Sequence, residues 1–463
     1  LPEQLAKLVE AGVDVFRLNM AFGTKEKHEE TVGHIRDIST RLGPVAVLVD
    51  LAGPKIRLGK LPGGQMLCHA EAIVRIVRGD AARAPDELVT NYADLIDDLA
   101  VGDRVALADG CVTLVVEATA ADEVTCRVIQ AGQVRSKQGV NLPGAKLNLP
   151  AMTDKDHQNA QWAAEIGVDF VGLSFVRSDD DVRQLKACLS EHGSGAHVIA
   201  KIERHEALSH LDEIVEATDG VMVARGDLGV ETEVAEVAVV QKRIVELCSR
   251  RAKPVIVATQ MLDSMQQSLR PTRAEVADVS NAILDGADAC MLSAETAVGQ
   301  HPAAAVKMMN RIALATEPLY RDLAPRKHDK DAAGVLRAVT QSVVGGAVQM
   351  AAELDAKLIV VATRSGATAL AVGKRRGFTP VVGVSDSPAT LRRLSLYWGV
   401  TPLSGAPVEQ RSELLRFVDR WGYREGLLVA GDRVVVVAGT GLVDEAHNVI
   451  YVHEVADQQT AGP

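Results

Sequence analysis

HVIAKIERHEALSHLDEIVEATDGVMVARGDLG, residues His197 to Gly229, carries the pattern that decides the fold. An apolar run, His197 to Glu203, gives way to a helical pattern, and a second run, Gly220 to Arg225, ends in RGDLG. Near-continuous Val, Ile and Leu runs of this length are the mark of strands buried on both faces. Side chains two apart on a strand share a face, so Lys201 and Glu203 project together from the end of the first run.

Outward from this stretch the same unit recurs. Further strand runs are VDVFRLN (Val13 to Asn19), VAVLVDL (Val45 to Leu51), FVGLSF (Phe170 to Phe175), PVIVAT (Pro254 to Thr259) and ACMLSAE (Ala289 to Glu295). Helical segments such as Gln161 to Ile166, Val234 to Arg251 and Arg273 to Leu284 alternate with them, two opened by Thr153-Asp154 and Pro271-Thr272. Such alternation predicts parallel strands, right-handed crossovers and an α/β fold of the (β/α)8 TIM-barrel type. Between Leu58 and Asn148 the period shortens toward two, with Asp109-Gly110 as a hairpin turn between Arg104 to Ala108 and Cys111 to Glu117. Ala72 to Val77 and Val124 to Ile129 read the same way, so a small β-barrel lid is inserted after the third-strand position. A charged linker, Arg326 to Asp331, leads to an α/β unit with strands at Leu358 to Ala362, Val381 to Val384, Val434 to Ala438 and Val449 to His453. The expected domains are therefore 1–57 with 148–325 (barrel), 58–147 (lid) and 326–463 (C-terminal).

With 463 residues, two or three domains are expected. Only 3% of residues are aromatic, so the core must be aliphatic. Fifty basic against 61 acidic residues give a net charge of −11, which excludes a general attraction for nucleic acid or anionic lipid. An anionic substrate must then meet a local basic cluster. Six cysteines scattered without ligand spacing point to a reducing compartment, the cytoplasm. No apolar stretch is long enough to cross a bilayer, and no signal peptide is visible. The chain opens on Leu1 rather than Met, from which a missing upstream segment is expected.

Barrel enzymes place catalysis at the carboxyl ends of their strands. The polar groups there are Arg17, Asn19, Asp50, Ser174, Lys201, Glu203, Asp227, Thr259, Ser293 and Glu295. One carboxylate from each of two neighbouring strands, Glu203 and Asp227, suits magnesium, which keeps most positions for water and substrate oxygens. Lys201 is placed to neutralise charge on a transferring phosphoryl group, although a structural Lys–Glu pair explains it too. In RGDLG two close glycines at a helix start suit a carboxylate or phosphate, or an ordinary tight turn.

The strings DLAGPKIR (Asp50 to Arg57), SKQGVNLPG (Ser136 to Gly144), KIERHEAL (Lys201 to Leu208), MVARGDLGVE (Met222 to Glu231), ATQMLDSM (Ala258 to Met265) and Pro271 to Gly299 resemble pyruvate kinase almost end to end. The resemblance implies transfer of phosphoryl from phosphoenolpyruvate to ADP, giving pyruvate and ATP. It implies magnesium, with manganese as an alternative, at Glu203 and Asp227. By the same likeness Arg17 contacts substrate phosphate and Lys201 stabilises the transition state. Gly226, Asp227 and Thr259 hold the substrate carboxylate. Asn19, Arg57 and Lys137 face the nucleotide, and Ser293 with Glu295 lies on the proton path. It also implies a mobile lid and a homotetramer, and it likens TRSGAT, with Thr363, Arg364, Ser365, Gly366 and Thr368, to an effector-phosphate loop. A capped strand–helix turn accounts for that loop as well. Lys374, Arg375 and Arg376 beyond it read equally as a solvated helix end.

The chain departs from the family pattern in three places. Seven barrel strands are countable, the opening one being absent. RLNMAFG (Arg17 to Gly23) has Ala21 for a serine that helps hold potassium. Leu51 and Lys55 stand where potassium-dependent members have threonine and glutamate, and with Asn19 and Asp50 they form the monovalent-cation site or its replacement. No potassium requirement is therefore expected. Ala294 replaces a glycine. A magnesium-dependent lyase of pyruvate-like acids, or a weakly catalytic regulatory relative, are the alternative readings.

Overall fold

The computed structural model describes residues 2–145, 149–322, 338–439 and 447–457. Seven parallel strands form the central sheet: β1 (Val15–Asn19), β2 (Ala46–Asp50), β3 (Phe170–Leu173), β4 (His197–Ile202), β5 (Gly220–Ala224), β6 (Val255–Ala258) and β7 (Ala289–Met291). Their order in the sheet is their order in the chain, as successive βα units dictate. These are the seven strands expected, and β1 and β7 are the outer ones. Beside them Leu8, Ala11 and Val306 pack with Phe16 and Leu292, joining the helices Pro2–Ala11 and Pro302–Thr316.

Alternation along each strand separates two environments. Val45, Val47 and Val49 face the surrounding helices and join the largest core, whereas Ala46, Leu48, Phe170, Ile199, Met222 and Ile256 fill the interior of the sheet. Continuing the interior parity toward the carboxyl ends reaches Arg17, Asp50, Ser174, Lys201, Glu203 and Ser293. The base is thus apolar and the mouth polar.

Several strands end earlier than the sequence suggests, because the polar mouth residues leave the ladder. Thr259 lies past β6, and Ser293 past β7. The helix after β5 starts at Arg225 itself and runs to Glu231, so RGDLG is a first helical turn rather than a loop.

In the lid, Arg104–Leu107 pairs with Val112–Thr119, which pairs with Glu123–Gln130, and that strand with Ile73–Val77, all antiparallel. Asp109 and Gly110 both have positive φ, 54° and 85°, as the hairpin turn requires. Met66, Leu88, Val105, Leu114, Cys126 and Val134 give the lid its own core. At its base, buried Asn141 donates to Glu231 at 3.4 Å, tying the lid to the helix that carries Asp227.

The C-terminal unit is a five-stranded sheet containing β8 (Leu358–Ala362), β9 (Val381–Val384), β10 (Val400–Leu403), β11 (Arg433–Gly439) and β12 (His447–Glu454), in the order β10-β9-β8-β11-β12. The last pair is antiparallel. β10 was not expected, since VTPL contains a proline tolerated only at a sheet edge. Lys374 and Arg376 do not form a solvated helix end. Lys374 is buried against Asp288, and Arg376 donates to the Gly286 carbonyl at 2.6 Å under the Trp398 ring. Arg392 pairs with Asp169 at 2.7 Å, so these basic residues dock the unit onto the amino ends of the barrel strands. The linker Arg326 to Asp331 and the boundaries at 147/148 and 325/326 lie outside the described residues.

Candidate active site

Lys201, on β4, stands at the centre of the mouth. Its ammonium lies 3.1 Å from Asp50 Oδ1 and 3.0 Å from Glu203 Oε1, and donates to Ser174 Oγ at 2.6 Å. The side chain is 9% exposed. Burial works against its charge, but the Asp50 and Glu203 carboxylates more than offset that and hold the ammonium above its ordinary range. Asp50, on β2, also accepts from Arg17 Nε at 2.7 Å. Arg17 and Lys201 are thereby joined through one carboxylate, with the Arg17 side chain still 25% exposed toward solvent.

Glu203 follows β4 and is 2% exposed. Its Oε2 accepts the Phe175 amide at 2.8 Å. Burial pushes the Glu203 carboxyl up, Lys201 pulls it back, and nearby Asp227 pushes it up again. Two hard carboxylates close enough to repel, with one side open, fit a divalent ion that takes few protein ligands. Asp227 occupies the first turn of the helix Arg225–Glu231, and its Oδ1 lies 3.0 Å from Lys55 Nζ. Lys55 therefore meets Asp227. The Leu51 carbonyl already accepts from Ser174 Oγ at 2.7 Å, and the Leu51 side chain is in the core. Asn19 Oδ1 accepts the Ala21 amide at 3.0 Å, so its carbonyl oxygen is turned to its own loop. In DLAGPKIR, Gly53 has φ +66°, and a Cβ there would fall 2.8 Å from the Phe175 ring, so only glycine fits.

The Gly226 amide donates to Thr259 Oγ1 at 2.8 Å, bringing together two of the three groups expected to hold a carboxylate. Thr259 has φ +70°, unusual for a β-branched residue. Arg225 holds that conformation by donating to the Thr259 carbonyl at 2.7 Å while pairing with Asp278 at 2.7 Å. Sequence reasoning missed Arg225 as a positioning residue. A charged residue ending an otherwise fully buried strand was the available signal. At β7, Glu295 accepts the Ser293 amide at 2.7 Å and the Leu262 amide at 3.1 Å. The Ser293 hydroxyl is buried without a partner among the described residues. Where the barrel chain enters the lid, Arg57 donates to the Lys137 carbonyl at 3.1 Å, and Lys137 is exposed with φ +69°. The TRSGAT loop lies in the other domain. There Gly366, φ +91°, donates to Thr363 Oγ1 at 3.0 Å, and Thr390 donates to the Arg364 carbonyl at 2.8 Å. Thr363 and Thr368 are buried, while Arg364 and Ser365 are exposed.

Among known proteins, a family model of the pyruvate kinase barrel domain matches residues 2–306, and one of the pyruvate kinase alpha/beta domain matches 341–453. A pyruvate kinase of Mycobacterium intracellulare is 41% identical over 98% of this chain and 96% of its own length. One of Geobacillus stearothermophilus is 40% identical over 99% of this chain and 79% of its own. The crystal structure of a pyruvate kinase from Cryptosporidium parvum superposes with a TM-score of 0.91 at 31% identity, covering 98% of this chain and 93% of that one. Matched by both family models and by relatives about 40% identical over nearly the whole chain, this chain is a phosphotransferase and belongs to the pyruvate kinase family.

Proposed function

We propose that the mouth of the barrel binds phosphoenolpyruvate and that the lid brings ADP to it. The observation that carries this reading is the buried Lys201 ammonium held between the Asp50 and Glu203 carboxylates. A cation fixed there before substrate arrives needs no reorganisation when charge develops on the phosphoryl oxygens. Arg17 binds the substrate phosphate from the solvent side. The Gly226 and Asp227 amides and the Thr259 hydroxyl take the carboxylate, replacing the Gly226–Thr259 bond. Arg57, Lys137 and Asn19 hold the nucleotide. The bond between phosphorus and the enol oxygen breaks as an ADP oxygen bonds to phosphorus, leaving an enolate. Ser293, whose hydroxyl has no partner among the described residues, relays a solvent proton to the enolate carbon to yield pyruvate, with the Glu295 carboxylate beside it. Glu203 and Asp227 would hold magnesium or manganese, which would supply positive charge to stabilise the transferring phosphoryl group.

Lys55 supplies, on a tethered side chain, the positive charge that a monovalent cation would otherwise bring, so potassium is not required. Supporting this, Ala21 and Leu51 have no side-chain oxygen, and the Leu51 carbonyl is committed to Ser174. The exposed Ser365 and the amides of the 363–368 loop bind a phosphorylated effector. The working assembly is a homotetramer in the cytoplasm. Initial rates with phosphoenolpyruvate, ADP and magnesium in potassium-free buffer at matched ionic strength test the reading. Full turnover is expected there, with Lys55→Glu acquiring a potassium requirement, and a large activation of the unaltered enzyme by potassium would contradict it.

A further inference from the structure

We propose that Lys55 is a displaceable counter-ion: its ammonium neutralises Asp227 until a divalent ion takes that oxygen, and then moves to Asp109 of the lid. This rests on reading Glu203 and Asp227 as the metal pair. Two lysines serve those two carboxylates, and their settings differ. The Lys201–Glu203 pair is sealed, with side chains 9% and 2% exposed. The Lys55–Asp227 pair, at 3.0 Å, has both side chains 25% exposed. A half-wet pair is weak and exchanges readily, while a buried one does not. When two positive charges enter with the metal, Lys55 is the one that leaves.

It has somewhere to go. The Lys55 backbone is pinned, its amide donating to the Gly53 carbonyl at 2.9 Å and its carbonyl accepting from Asn91 at 3.3 Å, so only the side chain moves. That side chain lies along Gly139 of the strand returning from the lid. A methyl built on Gly139 would sit 3.2 Å from Lys55 Cε, 3.8 Å from Lys55 Nζ and 3.6 Å from Asp109 Oδ1. Gly139 thus leaves open the space between the lysine and a lid carboxylate. In one position the ammonium pairs with Asp227 within the barrel; in the other it reaches Asp109 of the lid. Metal binding therefore exchanges a contact inside the barrel for one to the lid.

Manganese binding without substrates, followed by electron paramagnetic resonance of the free ion, separates the claims. Lys55→Met should bind manganese roughly 3- to 10-fold more tightly, the scale of losing one partly exposed competing charge pair. Asp227→Asn should lose most of the affinity. If Asp227→Asn binds like the unaltered enzyme, the metal assignment itself falls. If Asp227→Asn loses binding while Lys55→Met gains none, the counter-ion role falls alone. Reductive methylation read by mass spectrometry gives a metal-free check that does not depend on the Lys55 variant. Lys55 should react more slowly in the unaltered chain than in Asp227→Asn, and equal rates would overturn the pairing.

Discussion

Replacing Lys201 by methionine keeps most of the side chain's apolar length and removes its charge. The ammonium contacts Asp50, Glu203 and Ser174 at 3.1, 3.0 and 2.6 Å and is buried. Loss of one preorganised donor in a dry site costs ~3–4 kcal/mol of barrier, about 10²- to 10³-fold in kcat. The same change also leaves two carboxylates short of a cation, and breaking a buried pair destabilises folds by about 3–5 kcal/mol. Here the penalty should sit at or below the low end of that range, because each carboxylate keeps a partner. Asp50 retains Arg17 at 2.7 Å, and Glu203 retains the Phe175 amide at 2.8 Å. The variant should therefore fold, with a lowered melting temperature, and lose rate at saturating substrates. Steady-state kcat and a urea titration on the same preparation separate the two effects. A folded Lys201→Met enzyme within about tenfold of full turnover, a barrier change under ~1.4 kcal/mol, would refute the role.

Two further outcomes follow from other parts of the molecule. Screening sugar phosphates and AMP should find a ligand that shifts both melting and substrate saturation, and Ser365→Asp should abolish its effect by placing a carboxylate against the phosphate; no response to any of them would leave Thr363 to Thr368 a capped turn. His197, at the base of β4, has its pKa lowered to about 4 by burial, with Arg393, Lys186 and Lys253 also opposing its charge and Asp219 favouring it. The unfolded chain takes up this proton near pH 6.5 and the folded chain only near pH 4, so acidification through that window removes stability. Urea midpoints should fall between pH 7 and 5 and fall less steeply in His197→Gln; parallel slopes would contradict the assignment.

The strand runs were legible because a strand buried on both faces has little freedom in composition. Parity along one run puts Lys201 and Glu203 on one face, and the carboxyl ends of the other runs gather Arg17, Asp50 and Ser174 at the same mouth. The pairing of those residues was another matter. Which acid Lys55 meets depends on how the segment after β2 lies against the helix Arg225–Glu231, a relation between residues 172 apart in the chain. Arg225 escaped notice because its work is done through the backbone of Thr259, and a positive φ leaves no trace in the residue type when the residue is not glycine. Lys374 and Arg376 read as surface charges at a helix end, since nothing local reveals that Asp288 of the other domain covers them. β10 was hidden by its proline for a similar reason, an edge strand tolerating what a central one does not.

The proposed reaction is transfer of a phosphoryl group from phosphoenolpyruvate to ADP at this mouth, with Glu203 and Asp227 as the proposed holders of the divalent ion. Phosphorus NMR of the unaltered chain with both substrates and magnesium tests it most directly, run beside Glu203→Gln. The phosphoenolpyruvate resonance should disappear as the γ-phosphate of ATP grows in equal amount, with no such conversion after chelation or in the variant. Release of inorganic phosphate without ATP, or undiminished transfer by folded Glu203→Gln, would contradict the account.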